Sequence, residues 1–255
     1  MALLTLENCN IQFGGLVAVS DLCLEIGAND LVGLIGPNGA GKTTVFNLIT
    51  GIYPLSNGQI LFDNQNLAHK KTFQISRMGI ARTFQNIRLF PSLTVYETVQ
   101  AALKKTISYG LGQSICQMSR YHADEGRVHD RIMEILGFFD LIRFRNEMAS
   151  SLPYGSQRRV EIVRALATDP KLLLLDEPAA GMNTVEKEQL MELIGAIRVT
   201  FKCAILLIEH DMKVIMGICE RIAVLDYGVK IAEGTPRDIQ NHPQVIEAYL
   251  GEQTT

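Results

Sequence analysis

The sequence predicts an α/β fold: a mostly parallel sheet carrying helices, with an antiparallel β subdomain at its start and a helical subdomain inserted in its middle. Three observations carry that prediction. The apolar runs at 31–35, 172–175 and 203–208 lack the alternation of a half-exposed strand, so they read as strands buried on both faces, as in parallel sheets. From residue 171 onward strand and helix patterns alternate, the order that crossover connections require. Between about 93 and 167 the apolar spacing is helical throughout.

Taken in order, residues 3–8 and 21–26 alternate roughly as strands around Gly14-Gly15, an antiparallel prelude to the buried strand at 31–35. Val45, Leu48 and Ile49 mark a helix, 54–58 is turn-rich, and 59–63 and 79–85 read as strands. The helical block shows three faces: Val95, Val99, Ala102 and Leu103; then Val128, Ile132, Ile135 and Leu136; then Val160, Val163 and Leu166. Residues 106–119, rich in Gly, Ser and Gln, read as a loop or weak helix. The core resumes with the strand at 171–178, a helix at 184–199, a strand at 203–208, a helix at 212–218 and a strand at 221–225. A turn at Asp226-Tyr227-Gly228 leads into Val229-Lys230-Ile231, and Thr235-Pro236 is an N-cap with a first-turn proline. The whole reads as one domain, 1–255, with 1–91 and 168–255 as the α/β core and 92–167 as the helical subdomain.

Composition narrows the function. With 255 residues, 47% hydrophobic, the chain can bury a large core. A net charge of -3 supplies no basic field for a polyanion, so nucleic acid is not an expected partner. Lys70-Lys71 and Arg158-Arg159 read as solvated faces. Cys9, Cys23, Cys116, Cys203 and Cys219 lie far apart without metal spacing, which suggests thiols of a reducing compartment. No signal peptide or membrane span is evident, so a membrane would be reached only through another chain.

The chemistry starts at Gly36-Pro37-Asn38-Gly39-Ala40-Gly41-Lys42-Thr43-Thr44, which matches G-x-x-x-x-G-K-[ST] between strand and helix. By chance that pattern arises in roughly one chain in a hundred of this length. Glycines at positive φ let successive N–H groups turn inward on phosphate oxygens, and the helix N-terminus adds partial positive charge. Lys42 can place a full charge between the β- and γ-phosphates of a nucleotide, and the Thr43 hydroxyl can ligate Mg²⁺. Asp176, ending an apolar strand, fits the carboxylate that holds the metal through water, and Glu177 beside it fits a general base. His210 lies just beyond a strand end and Gln85 reads as ending a strand; on spacing alone a capping or surface role competes with a functional one. Residues 152–159 open a helix that Ser151 can cap and Pro153 can start, again an anion site or simply a capped helix.

In sum the chain resembles the nucleotide-binding subunits of ABC transporters over essentially its whole length: a P-loop NTPase core of the ABC ATPase type. Phosphate loop, Gln85, the helix start at 152–157, residues 172–177 and His210 stand in that family's order and approximate spacing. Arg82-Thr83-Phe84-Gln85-Asn86-Ile87-Arg88-Leu89-Phe90, Asp176-Glu177-Pro178-Ala179-Ala180-Gly181-Met182-Asn183, Ile208-Glu209-His210-Asp211-Met212 and Ala248-Tyr249-Leu250-Gly251-Glu252 look like the larger ATPase subunit of branched-chain amino acid importers. The resemblance implies a head-to-tail dimer, with an identical or a shorter sister subunit, sandwiching two ATPs. Transmembrane permease subunits would be coupled to it, with an extracytoplasmic solute-binding protein beyond, at the cytoplasmic face of the inner membrane. It implies that Phe13 stacks on adenine, Gln85 links Mg²⁺ to the permease, Glu177 is the general base and His210 contacts the γ-phosphate. Gly155 and Ser156 would meet the partner's nucleotide.

Departures from the family pattern are specific. Where Leu-Ser-Gly-Gly-Gln is usual, Pro153 replaces the serine, Tyr154 a glycine and Ser156 the glutamine. The expectation is weaker ATP-driven closure, with Ser156 supplying the missing hydroxyl. Asn183 stands where an aspartate commonly crosses the dimer interface. Ile87, Leu89, Phe90, Leu93 and Tyr96 read mainly as core, and otherwise as a groove for a permease helix. Competing readings are an exporter ATPase, a soluble non-transport ABC protein, which usually carries two cassettes or a coiled-coil insertion, and a P-loop kinase or GTPase. The last lacks Asn-Lys-x-Asp. The cargo itself is not legible in a subunit that would never touch it.

Overall fold

The computed structural model describes residues 2–103 and 119–250. In chain order its elements are β1 (Ala2–Phe13), β2 (Leu16–Gly27), β3 (Leu31–Ile35), α1 (Lys42–Ile49), β4 (Asn57–Phe62), β5 (Gln65–Asn66), α2 (Thr72–Arg77), β6 (Ile80–Arg82), α3 (Val95–Leu103), α4 (Ser119–Phe138) and α5 (Tyr154–Leu166). There follow β7 (Leu172–Asp176), α6 (Thr184–Phe201), β8 (Ala204–Ile208), α7 (Met212–Ile218), β9 (Arg221–Asp226), β10 (Val229–Gly234), α8 (Pro236–Gln240) and α9 (Pro243–Leu250). They form two compact units, Met1–Gln85 with Lys171–Thr255, and Asn86–Pro170. The sequence reading put these borders at 91/92 and 167/168; residues 86–91 have neither strand nor helix periodicity to place a border by.

The first unit holds two sheets among the described residues. One is antiparallel, in the order β2-β1-β4-β5. Its first two strands are longer than their alternation suggests, because register shifts within β1 break the period: Asn8 and Asp21 both have left-handed φ, and Asn10 Nδ2 donates to Asp21 Oδ1 at 3.0 Å across the irregularity. The other sheet runs β10-β9-β3-β8-β7-β6, parallel except for β10. Every residue of β3, β7 and β8 is buried, which explains their unbroken apolar sequences. Helix α2, with Ile75 as its one buried residue, is too short and polar to have shown a period.

Thr235 caps α8 as expected, its side chain accepting from Asp238 N with Pro236 in the first turn. Cys9, Cys203 and Cys219 are buried and Cys23 is exposed, each as a thiol outside any disulfide. Burial pushes the Cys9 thiol up to about 11 and the Cys219 thiol up to about 12, which makes both inert. Cys116 and nearly all of the expected loop at 106–119 lie outside the described residues. Among the described residues no helix is long and apolar enough to cross a membrane.

In the second unit the expected faces are inward in the main: Val95, Val99, Val128, Ile132, Ile135, Leu136, Val160, Val163 and Leu166 are buried, while Ala102 and Leu103 are half-buried. Three expectations are corrected here. Arg158 is not on a solvated face; its side chain is 0% exposed and its Nη1 donates to the equally buried Glu161 Oε2 at 2.8 Å. Helix α5 is buried on a second stripe, Arg158, Glu161, Ile162 and Ala165, so a basic pair in sequence became a charge with an internal partner. Nor does Ser151 cap α5. Its hydroxyl donates to Met148 O at 2.8 Å, while Pro153 occupies the N-cap and Gln157 Nε2 reaches back to Leu152 O at 2.8 Å. The apolar group after Gln85 is corrected as well: none of Ile87, Leu89, Phe90, Leu93 and Tyr96 is buried, and Phe90 is 53% exposed.

Candidate nucleotide site

The site forms where β3 gives way to α1. Gly36, Gly39 and Gly41 take φ of 149°, 78° and 102°, a path that L-residues resist. Space enforces the same choice: a Cβ on Gly36 would lie 2.0 Å from Leu225 O, and one on Gly41 2.6 Å from Ala18 O. The loop is thus wedged against neighbouring backbone, and the first N–H groups of α1 have no acceptor within the helix. Lys42, only 8% exposed, folds over this loop, its Nζ donating to Gly36 O at 2.6 Å and Pro37 O at 2.8 Å. A cleft of about 460 Å³ opens above, lined by the loop from Asn38 to Thr44 and by Phe13, Leu16, Gln85, Glu177 and Tyr227. Phe13 meets Tyr53 edge-on, the ring centroids 5.0 Å apart.

The strand order β3-β8-β7 brings the ends of the latter two strands beside the loop. Glu177 follows β7 with φ 46°, a strained backbone that its N–H holds by donating to Ile208 O at 2.9 Å. Its Oε2 accepts from Gln85 Nε2 at 2.8 Å and lies 3.6 Å from His210 Nδ1. Gln85, Glu177 and His210 therefore converge at one carboxylate oxygen. Gln85 does not end a strand, however. β6 stops at Arg82: Thr83 N–H completes the ladder to Leu174 O, but the Thr83 hydroxyl, in place of its carbonyl, accepts from Asp176 N at 3.3 Å.

Asp176 is buried, and its Oδ2 accepts from Arg82 Nη2 at 2.8 Å. Arg82 also donates to Asn47 Oδ1 at 2.7 Å on α1, and its guanidinium lies 5.3 Å and 5.2 Å from the ring centroids of Phe46 and Phe84. The Asp176 carboxylate is therefore oriented by a cation that spacing alone could not single out. Glu209 was missed too. It is 1% exposed, accepts from Ala179 N at 2.7 Å, and so ties the segment after Glu177 to the residue before His210. Burial raises its pKa. After His210, Asp211 caps α7 and pairs with Lys187 Nζ at 2.5 Å; that hydrogen bond lowers the pKa of Asp211 and raises that of Lys187.

Among the described residues no three His, Cys, Asp or Glu side chains form a metal cage. Thr43, Asp176 and Gln85 offer a sparse, all-oxygen donor set. That fits a cation which keeps its waters and shares phosphate oxygens, as Mg²⁺ does. In the second unit Gly155 and Ser156 occupy the first turn of α5, half-buried. Asn183 caps α6, accepting from Glu186 N at 3.0 Å, a task aspartate would perform equally well.

Residues 19–180 match the family model described as ABC transporter, and residues 229–254 the model described as branched-chain amino acid ATP-binding cassette transporter. The chain is 46% identical over 250 residues, 98% of each chain, to the high-affinity branched-chain amino acid transport ATP-binding protein LivG of Escherichia coli (strain K12). Among solved structures it is similar to the ADP conformation of MJ1267, an ATP-binding cassette of an ABC transporter, with a TM-score of 0.84 and 28% identity over 98% of this chain and 99% of that one. It is also similar to the dimeric post-hydrolysis state of the ATP-binding cassette MJ0796 bound to ADP and Pi, with a TM-score of 0.77 and 26% identity over 92% of this chain and 99% of that one. A glycine-cradled lysine facing a carboxylate, amide and imidazole cluster, on a fold shared along its length with these cassettes, places this chain in the ABC transporter family as an ATP-binding subunit.

Proposed function

We propose that this chain hydrolyses ATP in a dimer and thereby drives uptake of branched-chain amino acids through separate permease subunits. The observation that carries the cargo class is the match at 229–254, outside the general cassette match, to branched-chain transporters in particular. On this reading the loop N–H groups of 36–44 bind the phosphates, and Lys42 exchanges two loop carbonyls for β- and γ-phosphate oxygens. Phe13 takes the adenine ring. Thr43, Asp176 and Gln85 would hold Mg²⁺, which would supply neutralising charge to the phosphates. Glu177 accepts a proton from water as that water's oxygen bonds the γ-phosphorus and the bond to the β-phosphate oxygen breaks, releasing ADP and phosphate. His210, within reach of Glu177, orients that water and the γ-phosphate.

The second copy or a shorter homologue closes the site with Gly155 and Ser156, and the dimer of MJ0796 supports that pairing. The exposed Phe90 and its half-buried neighbours Ile87, Leu89, Leu93 and Tyr96 suit a groove for a permease helix. A solute-binding protein outside the inner membrane would deliver cargo, with this chain peripheral on the cytoplasmic face. The test is Lys42→Ala: losing one charged donor to phosphate is expected to weaken ATP binding about 10- to 100-fold, and to abolish leucine, isoleucine and valine uptake in cells that depend on this chain. Uptake that survives the substitution would refute the transport reading. Ser156→Ala addresses the departed signature separately. If its hydroxyl replaces the missing serine, turnover falls about 10-fold, a loss of about 1.4 kcal/mol; unchanged affinity and turnover would leave the contact to Gly155 N–H alone.

A further inference from the structure

The β9–β10 hairpin turns on two residues, Tyr227 and Gly228, with φ of 44° and 81°. Both central positions of such a turn need positive φ, which is why Asn-Gly and Gly-Gly dominate there. A tyrosine in that place is strained, and burial does not offset the strain, since Tyr227 is 88% exposed. The turn is nonetheless clamped in place. Gly228 N–H donates to Ala40 O of the phosphate loop at 3.0 Å, Gly228 O accepts from Ser20 N at 2.9 Å, and a Cβ on Gly228 would strike Ala18 O at 2.7 Å. The backbone that carries the phenol ring is therefore tied to the phosphate loop itself, and Tyr227 stands on the wall of the cleft that Phe13 also lines.

We propose that Tyr227 is a second aromatic contact for the nucleotide, meeting the base and ribose end while Phe13 supplies the first. This rests on the ATP-binding reading above and adds a recognition residue to it. A rigid ring with two side-chain torsions, held at the rim and kept out of the core, offers a flat apolar platform at small entropic cost. Phosphate binding needs no such platform; a base does.

The full chain is tested with two probes, ATP and inorganic tripolyphosphate, by equilibrium titration. Tyr227→Asn is the informative variant because asparagine suits the turn better than tyrosine, so its melting temperature should equal or exceed that of the parent. The expected result is a Kd for ATP at least about 5-fold higher, the low end of what an aromatic stacking partner contributes, with the Kd for tripolyphosphate unchanged. Tyr227→Phe should stay within about twofold of the parent for both probes. An unchanged ATP affinity in Tyr227→Asn, or an equal loss for both probes, overturns the proposal, the first of these outcomes leaving Tyr227 as a contact for a protein partner. Failure of the parent chain to bind ATP at all would instead bring down the underlying reading, and the two failures are distinguishable.

Discussion

Glu177→Gln should bind ATP within about twofold of the parent while its hydrolysis falls about 10²- to 10⁴-fold, the range that a positioned general base contributes. The structure makes this a clean substitution. Glutamine has nearly the same volume, and the left-handed backbone at 177 is set by the N–H bond to Ile208 O, which the side chain does not touch. Gln85 Nε2 can still donate, to the new amide oxygen, so the cleft keeps its wall. What disappears is the lone pair able to take water's proton. Single-turnover phosphate release measured beside ATP titration separates the two effects, because loss of binding and of chemistry together would indicate a collapsed site. Turnover above about a tenth of the parent's would transfer the base role elsewhere, with His210, 3.6 Å from the same oxygen, as the first candidate.

The convergence behind this prediction was legible in the sequence only in outline. Unbroken apolar runs announced β3, β7 and β8, since a strand buried on both faces must be apolar at every position, and residues just past their ends gather on one edge of a parallel sheet. Glu177 and His210 followed from that geometry, and the glycine pattern gave the loop. Helix faces in the second unit were legible for the same reason, one buried position per turn. Arg82, Glu209 and Arg158 were not. Each is a charge whose partner is remote in sequence or depends on which helix stripe faces inward, and a polar residue looks the same in sequence whether it meets water or a buried counter-charge. The adjoining Gln85 was misplaced by three residues because Thr83 leaves the strand through a side-chain bond that no periodicity records. Tyr227 was legible as a turn residue but not as a strained one.

Arg158→Met is expected to be the most destabilising substitution outside the nucleotide cleft, about 3–5 kcal/mol, because it strands a buried carboxylate. Glu161 is as inaccessible as Arg158; its Oε2 takes the Arg158 bond, while its Oε1 lies 3.4 Å from Arg88 N–H and 4.0 Å from Arg164. Arg164 is a poor substitute, for burial already lowers its pKa and its guanidinium also donates to Arg88 O. In a chain of this size the loss corresponds to a melting temperature lower by roughly 6–20 °C. The double variant Arg158→Met with Glu161→Leu separates charge from packing: removing both charges spares two desolvation penalties, so its stability should return to within about 1–2 kcal/mol of the parent or exceed it. Urea unfolding of the three proteins decides, and a double variant no more stable than the single one would mean that Arg158 acts through its hydrocarbon stem. The pair also sits one turn beyond Gly155 and Ser156, on the same helix. An apolar replacement fixes depth but not azimuth, whereas a charged pair is satisfied in one rotational setting of α5. The double variant should therefore be stable yet turn over ATP more slowly, because the helix start that meets the second copy's nucleotide would no longer be held to a single orientation.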